Sequence, residues 1–269
     1  GNPSMNAAPK KAILIVSFGT SYENTRKVTI DAIEKDIADA FPACPTYRAW
    51  TSKMIISKLK KRDGIIIHTV KEALEQMLHD GITDVVVQPT HVINGIENDQ
   101  MKADALSFKD QFHSIVFGNP LLTTEEDNQA VVQAVADEFS DMDSETALVL
   151  MGHGTEHFAN SVYAALDYRF KDTGHKNIFL GTVEAYPALD SLLRATGSFH
   201  PKKIVLAPFM IVAGDHAQND LAGEEPDSWL NRLSSEGYEV TPVLKGLGEY
   251  PEVRRILVDH VRQAMNQEA

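Results

Sequence analysis

The sequence predicts an α/β protein with two similar Rossmann-like domains, each built on a parallel sheet. Two observations carry this prediction. Short apolar runs alternate with amphipathic stretches along the chain, which is typical of a parallel sheet covered by helices on both faces. The same series of runs also occurs twice, with a period of roughly 130 residues, which is too long for a solenoid unit and indicates duplicated domains.

The alternating runs predict the elements in order. β-rich apolar runs predict strands at 12–17, 46–50, 65–67, 84–89 and 114–117, and then at 147–151, 177–183, 203–208 and 239–244. Amphipathic patterns predict helices at 24–40, 70–79, 161–171, 186–196 and 251–266. The acidic, turn-rich segment 139–146 marks the domain boundary, which gives a flexible extension at 1–10, a first domain at 11–141 and a second at 142–269. Either terminal helix is free to cross to the other half.

The two halves differ at one position that matters for chemistry. "AILIVSFGTSY" begins the first half and "ALVLMGHGTEH" begins the second, so Phe18 stands where the second copy has His153. Aligning the later strands on their shared proline places Glu97 in register with His216. Because ligands bind beyond the carboxyl ends of parallel strands, often between domains, we expect these loops to face a common cleft.

Three potential metal ligands follow predicted strands. His153 lies between two glycines in "GHGT", Glu184 follows a strand in "GTVEAYP", and His216 follows another in "AGDHAQND". Two histidines and one carboxylate suit a divalent first-row metal and leave coordination positions open. Each residue also has a structural alternative: a loop hydrogen bond for His153, a favourable position at a helix N-terminus for Glu184, and a cap or solvated side chain for His216.

Composition excludes several classes of function. The chain has 25 basic and 38 acidic residues, a net charge of −13, which argues against a nucleic-acid partner because phosphate binding needs a basic face. No apolar stretch approaches the roughly 20 residues of a membrane-spanning helix, so no membrane insertion is expected. The single cysteine, Cys44, forbids an internal disulfide and a Cys-rich metal site. Residues 18–25 lack the lysine of a phosphate loop, so no nucleotide cofactor is expected.

The chain begins with Gly1 rather than Met. Either Met5 is the native start behind an added remnant, or Gly1 follows a removed signal peptide. The second alternative, slightly favoured here, predicts a periplasmic location, and the first predicts a cytoplasmic one. A homo-oligomer is expected because symmetric homo-oligomers are the commonest assemblies.

Several motifs resemble those of one family. "SFGTS", "HVINGIE", "MGHGTEH", "GTVEAYP" and "APFMIVAGDHAQNDLAGEEPDSW" are similar to the anaerobic cobalt chelatases of the CbiK type, which are class II tetrapyrrole chelatases related in fold to ferrochelatase. The resemblance runs from about residue 11 to 266 and implies a chelatase-like fold with its active site in the cleft between the domains. It implies insertion of Co²⁺ into sirohydrochlorin on the oxygen-independent route to cobalamin, with Fe²⁺ insertion to sirohaem as a side capacity.

The resemblance also implies residue roles. The family's two metal-site histidines match His153 and His216, which with Glu184 would hold the incoming Co²⁺, one imidazole also acting as base. The acid of the family's "NG-x-E" loop matches Glu97, which would assist proton removal or metal approach.

A substrate rich in carboxylates requires local cations in an otherwise acidic protein. Arg48 and Lys53 are the candidates, because guanidinium groups bind carboxylates in a paired geometry, with solvated surface charge as the alternative. Phe18 and His91 complete the predicted substrate contacts. His91 corresponds to Met210 in the second half, so a packed histidine is the alternative for it.

The main alternative function is a non-catalytic, two-lobed carrier of metal or tetrapyrrole. Such a carrier would bind haem through a spare histidine such as His68. A metal-dependent hydrolase is disfavoured because no Asp/His cluster resembles a two-metal site.

Overall fold

The computed structural model describes residues 8 to 267. These residues divide into two compact units: those up to Thr123 together with those from Arg254 onward form the first, and Thr124–Val253 form the second. Residues 1–7, most of the predicted extension, lie outside the described range.

The first unit contains a four-stranded parallel sheet. Its strands are β1 (Lys11–Ser17), β2 (Thr46–Trp50), β3 (Asp84–Pro89) and β4 (Ser114–Phe117), in the order β2-β1-β3-β4. Strands β1 and β3 are buried along nearly their whole length, as expected for strands covered on both faces.

Five helices of the first unit connect these strands. They are α1 (Glu23–Val28), α2 (Ile30–Ala40), α3 (Lys53–Asp63), α4 (Val70–His79) and α5 (Ile96–Leu106). Local sequence sets several of their ends: Ser52 accepts a hydrogen bond at the start of α3, and Thr69 and Glu72 form a capping box at the start of α4. Apolar residues of α4 pack with those of β1 and β3 in one core.

The second unit repeats this arrangement. Its parallel strands are β5 (Thr146–Gly152), β6 (Ile178–Thr182), β7 (Lys203–Pro208) and β8 (Glu239–Pro242), in the order β6-β5-β7-β8. Its helices are α6 (Glu125–Glu138), α7 (Ser161–Asp172), α8 (Leu189–Phe199) and α9 (Trp229–Ser235), and a short π-helical segment covers His216–Leu221.

The matching strand orders confirm the predicted two similar α/β domains with parallel sheets. The register agrees as well: Pro89 of β3 pairs with Val16, and Pro208 of β7 pairs with Met151. Counting two residues on from each pair shows that Phe18 and His153 hold equivalent positions at the carboxyl ends of the central strands.

The last helix, α10 (Pro251–Asn266), belongs to the first unit from Arg254 onward. Arg254 Nε donates to Asp36 Oδ2 of α2 at 2.7 Å, and His260 Nδ1 donates to the Asn119 carbonyl at 2.7 Å. The crossing of a terminal helix, left open by the sequence, therefore takes place.

The unit boundary differs from the one predicted at 141/142. The second unit begins at Thr124, so it includes α6. This helix contacts α7, where Arg169 forms an ion pair with Glu125 and a 3.3 Å hydrogen bond with Gln129. Acidic turn residues mark the end of α6 and not the division between the units.

The predicted strand at 65–67 is wrong. Helix α3 ends at Asp63 and is capped by Gly64, whose φ of 65° is left-handed. The three isoleucines that follow form a loop before α4. Ile66 is 63% exposed, so this run does not enter the sheet.

The predicted helix at 24–40 is two helices. The helical conformation is interrupted at Thr29, between α1 and α2, which has φ −119° and ψ −82°. The Thr29 hydroxyl donates to the Thr25 carbonyl at 2.7 Å, and the residue is fully buried. In the described part of the chain, none of the helices combines the length and the apolar character needed to cross a membrane.

Candidate metal site

His153 and His216 lie side by side in the second unit. His153 directly follows β5, and His216 begins the π-helical segment after β7, the strand that pairs with β5. The two Nε2 atoms are 2.9 Å apart, although 63 residues separate them in the sequence. Their rings meet edge to face, with centroids 4.3 Å apart and an interplanar angle of 86°.

Each imidazole is oriented through its other nitrogen. His153 Nδ1 lies 2.8 Å from the Gly154 carbonyl oxygen, and His216 Nδ1 lies 2.6 Å from Asp220 Oδ2. Because a carbonyl or carboxylate oxygen only accepts, both Nδ1 atoms carry the proton. Both Nε2 atoms therefore present lone pairs when the rings are neutral, which is the form that binds a metal ion.

A cation bound by both Nε2 atoms stabilises two lone pairs that lie this close together. Neighbouring nitrogen ligands in an octahedral site with bonds of about 2.1 Å lie about 3 Å apart. The observed Nε2–Nε2 distance therefore fits two adjacent ligands of one divalent first-row ion.

Both glycines around His153 are required by close packing. Gly154 has φ +85°, and a Cβ built on it would lie 2.7 Å from Thr182 Cβ and 3.0 Å from the Ala185 amide nitrogen. A Cβ on Gly152 would lie 2.6 Å from the ring of Tyr163. Gly154 thus lets the end of β5 lie against the loop that follows β6, and Gly152 lets it lie against Tyr163 of α7.

Glu184 lies on that loop, next to His153 in the backbone. Its N–H donates to the His153 carbonyl at 2.9 Å, while its side chain is exposed. Within residues 8–267, no three His, Cys, Asp or Glu side chains are arranged to hold a metal ion. The structure therefore assembles the two predicted histidines but does not bring the predicted third ligand, the Glu184 carboxylate, to them.

Asp220 is a site residue that the sequence prediction missed. It follows His216 by four residues within the π-helical segment, so it reaches the outer nitrogen of the imidazole. The only signal in the sequence is the spacing in "HAQND", which carries meaning only once that segment is helical.

Glu97 and His91 are neighbours in the first unit. Glu97 lies in the first turn of α5 with its side chain half exposed, and its Oε2 is 3.9 Å from His91 Nε2. His91 itself is buried, and neither ring nitrogen has a partner with hydrogen-bonding geometry. Burial lowers the pKa of His91 to about 4, opposed by the nearby Asn98 side chain. The packed alternative therefore describes His91 better than the predicted substrate contact.

Arg48 is engaged inside the first unit. Its guanidinium donates to Glu34 at 2.7 Å and 2.9 Å and also forms an ion pair with Asp31, both on α2. Burial raises the pKa of the Glu34 carboxyl, and Arg48 opposes that shift. These ion pairs favour a structural role for Arg48, and its predicted contact with a substrate carboxylate stays a prediction.

The two other predicted substrate contacts are exposed. Lys53 is the first residue of α3, and Phe18, 47% exposed, follows β1. Both lie at the carboxyl edge of the first sheet, where ligands bind in parallel α/β folds.

The fold is the one seen in solved structures of the chelatase class. The solved structure of SirB from Bacillus subtilis with Fe³⁺ superposes with a TM-score of 0.64 at 16% sequence identity, covering 96% of this chain and 97% of that one. At this identity the match shows the shared fold alone.

The family follows from sequence. The cobalt chelatase (CbiK) family profile matches residues 11–266. The chain is 39% identical to the sirohydrochlorin cobaltochelatase of Salmonella typhimurium, over 96% of this chain and 97% of that protein. It is 31% identical to the sirohydrochlorin cobaltochelatase CbiKC of Nitratidesulfovibrio vulgaris, over 96% and 91%. The protein belongs to the CbiK cobalt chelatase family.

Proposed function

We propose that this protein inserts Co²⁺ into sirohydrochlorin. Two relatives that match over nearly their whole length are named for this reaction. The observation that carries the proposal is the pair of Nε2 atoms at 2.9 Å, each with its Nδ1 proton donated elsewhere. Such a pair binds a divalent ion and leaves most of its coordination positions open for a second set of nitrogens.

His153 and His216 hold the incoming Co²⁺ in this proposal. Asp220 accepts the His216 Nδ1 proton and so keeps Nε2 directed at the metal. Glu184 is the third ligand in this proposal: its backbone N–H donates to the His153 carbonyl, and its exposed side chain would have to turn towards the metal. A site with few protein ligands suits a substrate metal, which has to leave again.

Insertion replaces two protons of the macrocycle by one metal ion. Two pyrrole N–H protons leave as one Co²⁺ enters, so the net charge of the macrocycle is unchanged. An imidazole that has released its metal is a suitable acceptor near neutral pH. Glu97, half exposed on α5, is a second acceptor and passes protons to solvent.

Fe²⁺ is a second metal that the site would accept, because imidazole and carboxylate ligands bind several first-row ions. The SirB structure that shares this fold is described with Fe³⁺. Competition between Co²⁺ and Fe²⁺ in one assay, with product identified by its absorption spectrum, measures the preference.

The direct test is an insertion assay. Purified protein, sirohydrochlorin and Co²⁺ are mixed without oxygen, and the absorbance change is compared with the spontaneous rate. We expect acceleration by the wild type and loss of most activity in His153→Ala and His216→Ala, with unchanged circular dichroism. The exposed His79→Ala on α4 is the matched control. Tight binding of metal, tetrapyrrole or haem without acceleration would instead support the carrier alternative.

A further inference from the structure

Helix α3 is strongly basic in an acidic protein. Its eleven residues, "KMIISKLKKRD", contain five basic side chains and one acidic side chain, whereas the whole chain has a net charge of −13. Such a local reversal of sign attracts anions to one place on the surface.

Among the described residues, none of the four lysines of α3 forms a salt bridge with a carboxylate. Lys58 and Lys61 are both exposed. Arg62 pairs only with its neighbour Asp63, at 2.7 Å. Like charges three and four residues apart destabilise a helix, so the stability of α3 does not account for this arrangement.

The same side chains line an open groove. Met54, Ser57, Lys58, Lys61 and Arg62 lie on one face of α3 and border an open space of about 560 Å³. We call it the α3 groove. Met54 is 82% exposed, and a thioether packs well against an aromatic ring. The groove thus offers an apolar contact with cations around it.

Its position is that of a ligand site. Helix α3 follows β2 at the carboxyl edge of the first sheet, and Ser52, its N-cap, donates its N–H to the Phe18 carbonyl at 3.1 Å. At the other end of α3, Arg62 Nη2 donates to the Ser21 carbonyl at 2.7 Å. Both bonds hold α3 against the loop after β1, which is the counterpart of the loop that carries His153.

We propose that the α3 groove binds the tetrapyrrole, with Met54 against the ring and Lys58 and Lys61 on its peripheral carboxylates. The ligand class, a flat apolar ring with several carboxylates, follows from the groove; its identity as sirohydrochlorin rests on the proposed function. The groove takes the role predicted for Arg48, whose guanidinium is occupied by Glu34 and Asp31.

Binding without metal tests this proposal separately from catalysis. The dissociation constants of sirohydrochlorin, uroporphyrin and protoporphyrin, which differ in carboxylate number, are measured from tetrapyrrole fluorescence for the wild type and for Lys58→Gln/Lys61→Gln. Glutamine keeps the helix propensity of lysine. The control is Lys109→Gln/Lys176→Gln, the same charge change on exposed lysines that precede β4 and β6.

We expect the Lys58→Gln/Lys61→Gln protein, called the α3 variant, to bind sirohydrochlorin and uroporphyrin about 5- to 30-fold more weakly, the effect of losing two exposed charge pairs. It should bind protoporphyrin, which has fewer carboxylates, nearly as well as wild type. Its affinity should also depend less on salt. Met54→Gln should weaken the binding of all three tetrapyrroles to the same extent.

Equal dissociation constants in wild type and α3 variant, or an equal loss in the control, would overturn the proposal. A changed oligomeric state of the α3 variant in sedimentation, with unchanged tetrapyrrole affinity, would also overturn it and make α3 a contact between protein chains. If the wild type binds uroporphyrin through α3 but does not accelerate Co²⁺ insertion, the α3 groove is supported as a tetrapyrrole site. The same result contradicts the proposed insertion activity.

Discussion

Asp220 Oδ2 lies 2.6 Å from His216 Nδ1, so a carboxylate backs one of the two imidazoles that face each other. The other imidazole has only a neutral backbone carbonyl behind it, that of Gly154. The two histidines are therefore held differently: a carboxylate orients His216, whereas a neutral carbonyl orients His153.

Replacement of Asp220 tests this difference. We expect Asp220→Asn to lower the affinity for Co²⁺ and the kcat/KM of insertion about 10- to 100-fold, the usual cost of losing a carboxylate behind a ligating histidine. The measurements are Co²⁺ titration by calorimetry and the insertion assay. Asp172→Asn, an exposed acid at the end of α7, should behave as wild type; an unchanged Asp220→Asn protein would show that His216 needs no such support.

Gly154→Ala tests the packing behind His153. Strain at φ +85° and the contact with Thr182 act together, so we expect a loss of about 2–4 kcal/mol in the free energy of unfolding. Gly174→Ala, at φ +96° with open space around it, isolates the strain and should cost about 1–2 kcal/mol. Urea denaturation measures both. Equal losses would mean that the loop after β6 yields easily to the extra methyl group.

His91 makes stability depend on pH. Its pKa is about 4 in the folded protein against 6.5 as the ordinary value, so the unfolded chain binds the proton more tightly. Stability attributable to this residue is full above pH 6.5 and falls as the pH drops towards 4.

The substitution His91→Met, which copies Met210 of the second half, should remove the contribution of His91 to the pH dependence of stability. We expect the difference in unfolding free energy between pH 7 and pH 5 to shrink by about 1–2 kcal/mol, measured with urea at both values. His79→Gln, on the exposed surface of α4, serves as the comparison. A pH dependence identical to wild type in His91→Met would mean that the buried ring takes up its proton without penalty.

We expect Arg48 to contribute to the stability of the fold and not to substrate binding. Arg48→Met leaves the Glu34 carboxylate, 19% exposed, without its main partner, so we expect a loss of about 1–3 kcal/mol in unfolding free energy with an unchanged KM for sirohydrochlorin. The double variant Arg48→Met/Glu34→Gln should recover part of the loss. A raised KM at unchanged stability would restore the role predicted from the sequence.

Local patterns in the sequence were sufficient to predict the strands of both sheets. Buried parallel strands are continuous apolar runs, and eight of the nine predicted strands exist within a few residues. The run at 65–67 failed because three isoleucines meet the same description while a left-handed Gly64 redirects the chain. The internal repeat predicted the equivalence of Phe18 and His153, since duplication preserves strand order.

Side-chain partners were less accessible from the sequence. Arg48 was predicted as a substrate contact because nothing local shows its ion pairs with Glu34 and Asp31, 14 and 17 residues earlier, which only the packing of α2 beside β2 creates. Glu184 follows the right strand, but the direction of an exposed carboxylate depends on its rotamer. The periplasmic location, the homo-oligomer, haem binding and the absence of nucleic-acid and nucleotide partners stay predictions.

The return of α10 to the first unit has a consequence for synthesis on the ribosome. Residues 124–253 form a continuous unit and are complete before the part of α10 from Arg254 onward has emerged, whereas the earlier-made half still lacks this helix, whose Leu257 and Val261 are fully buried. The half translated first is therefore the half finished last, and a nascent chain that stops short of α10 leaves an apolar face for chaperones to shield.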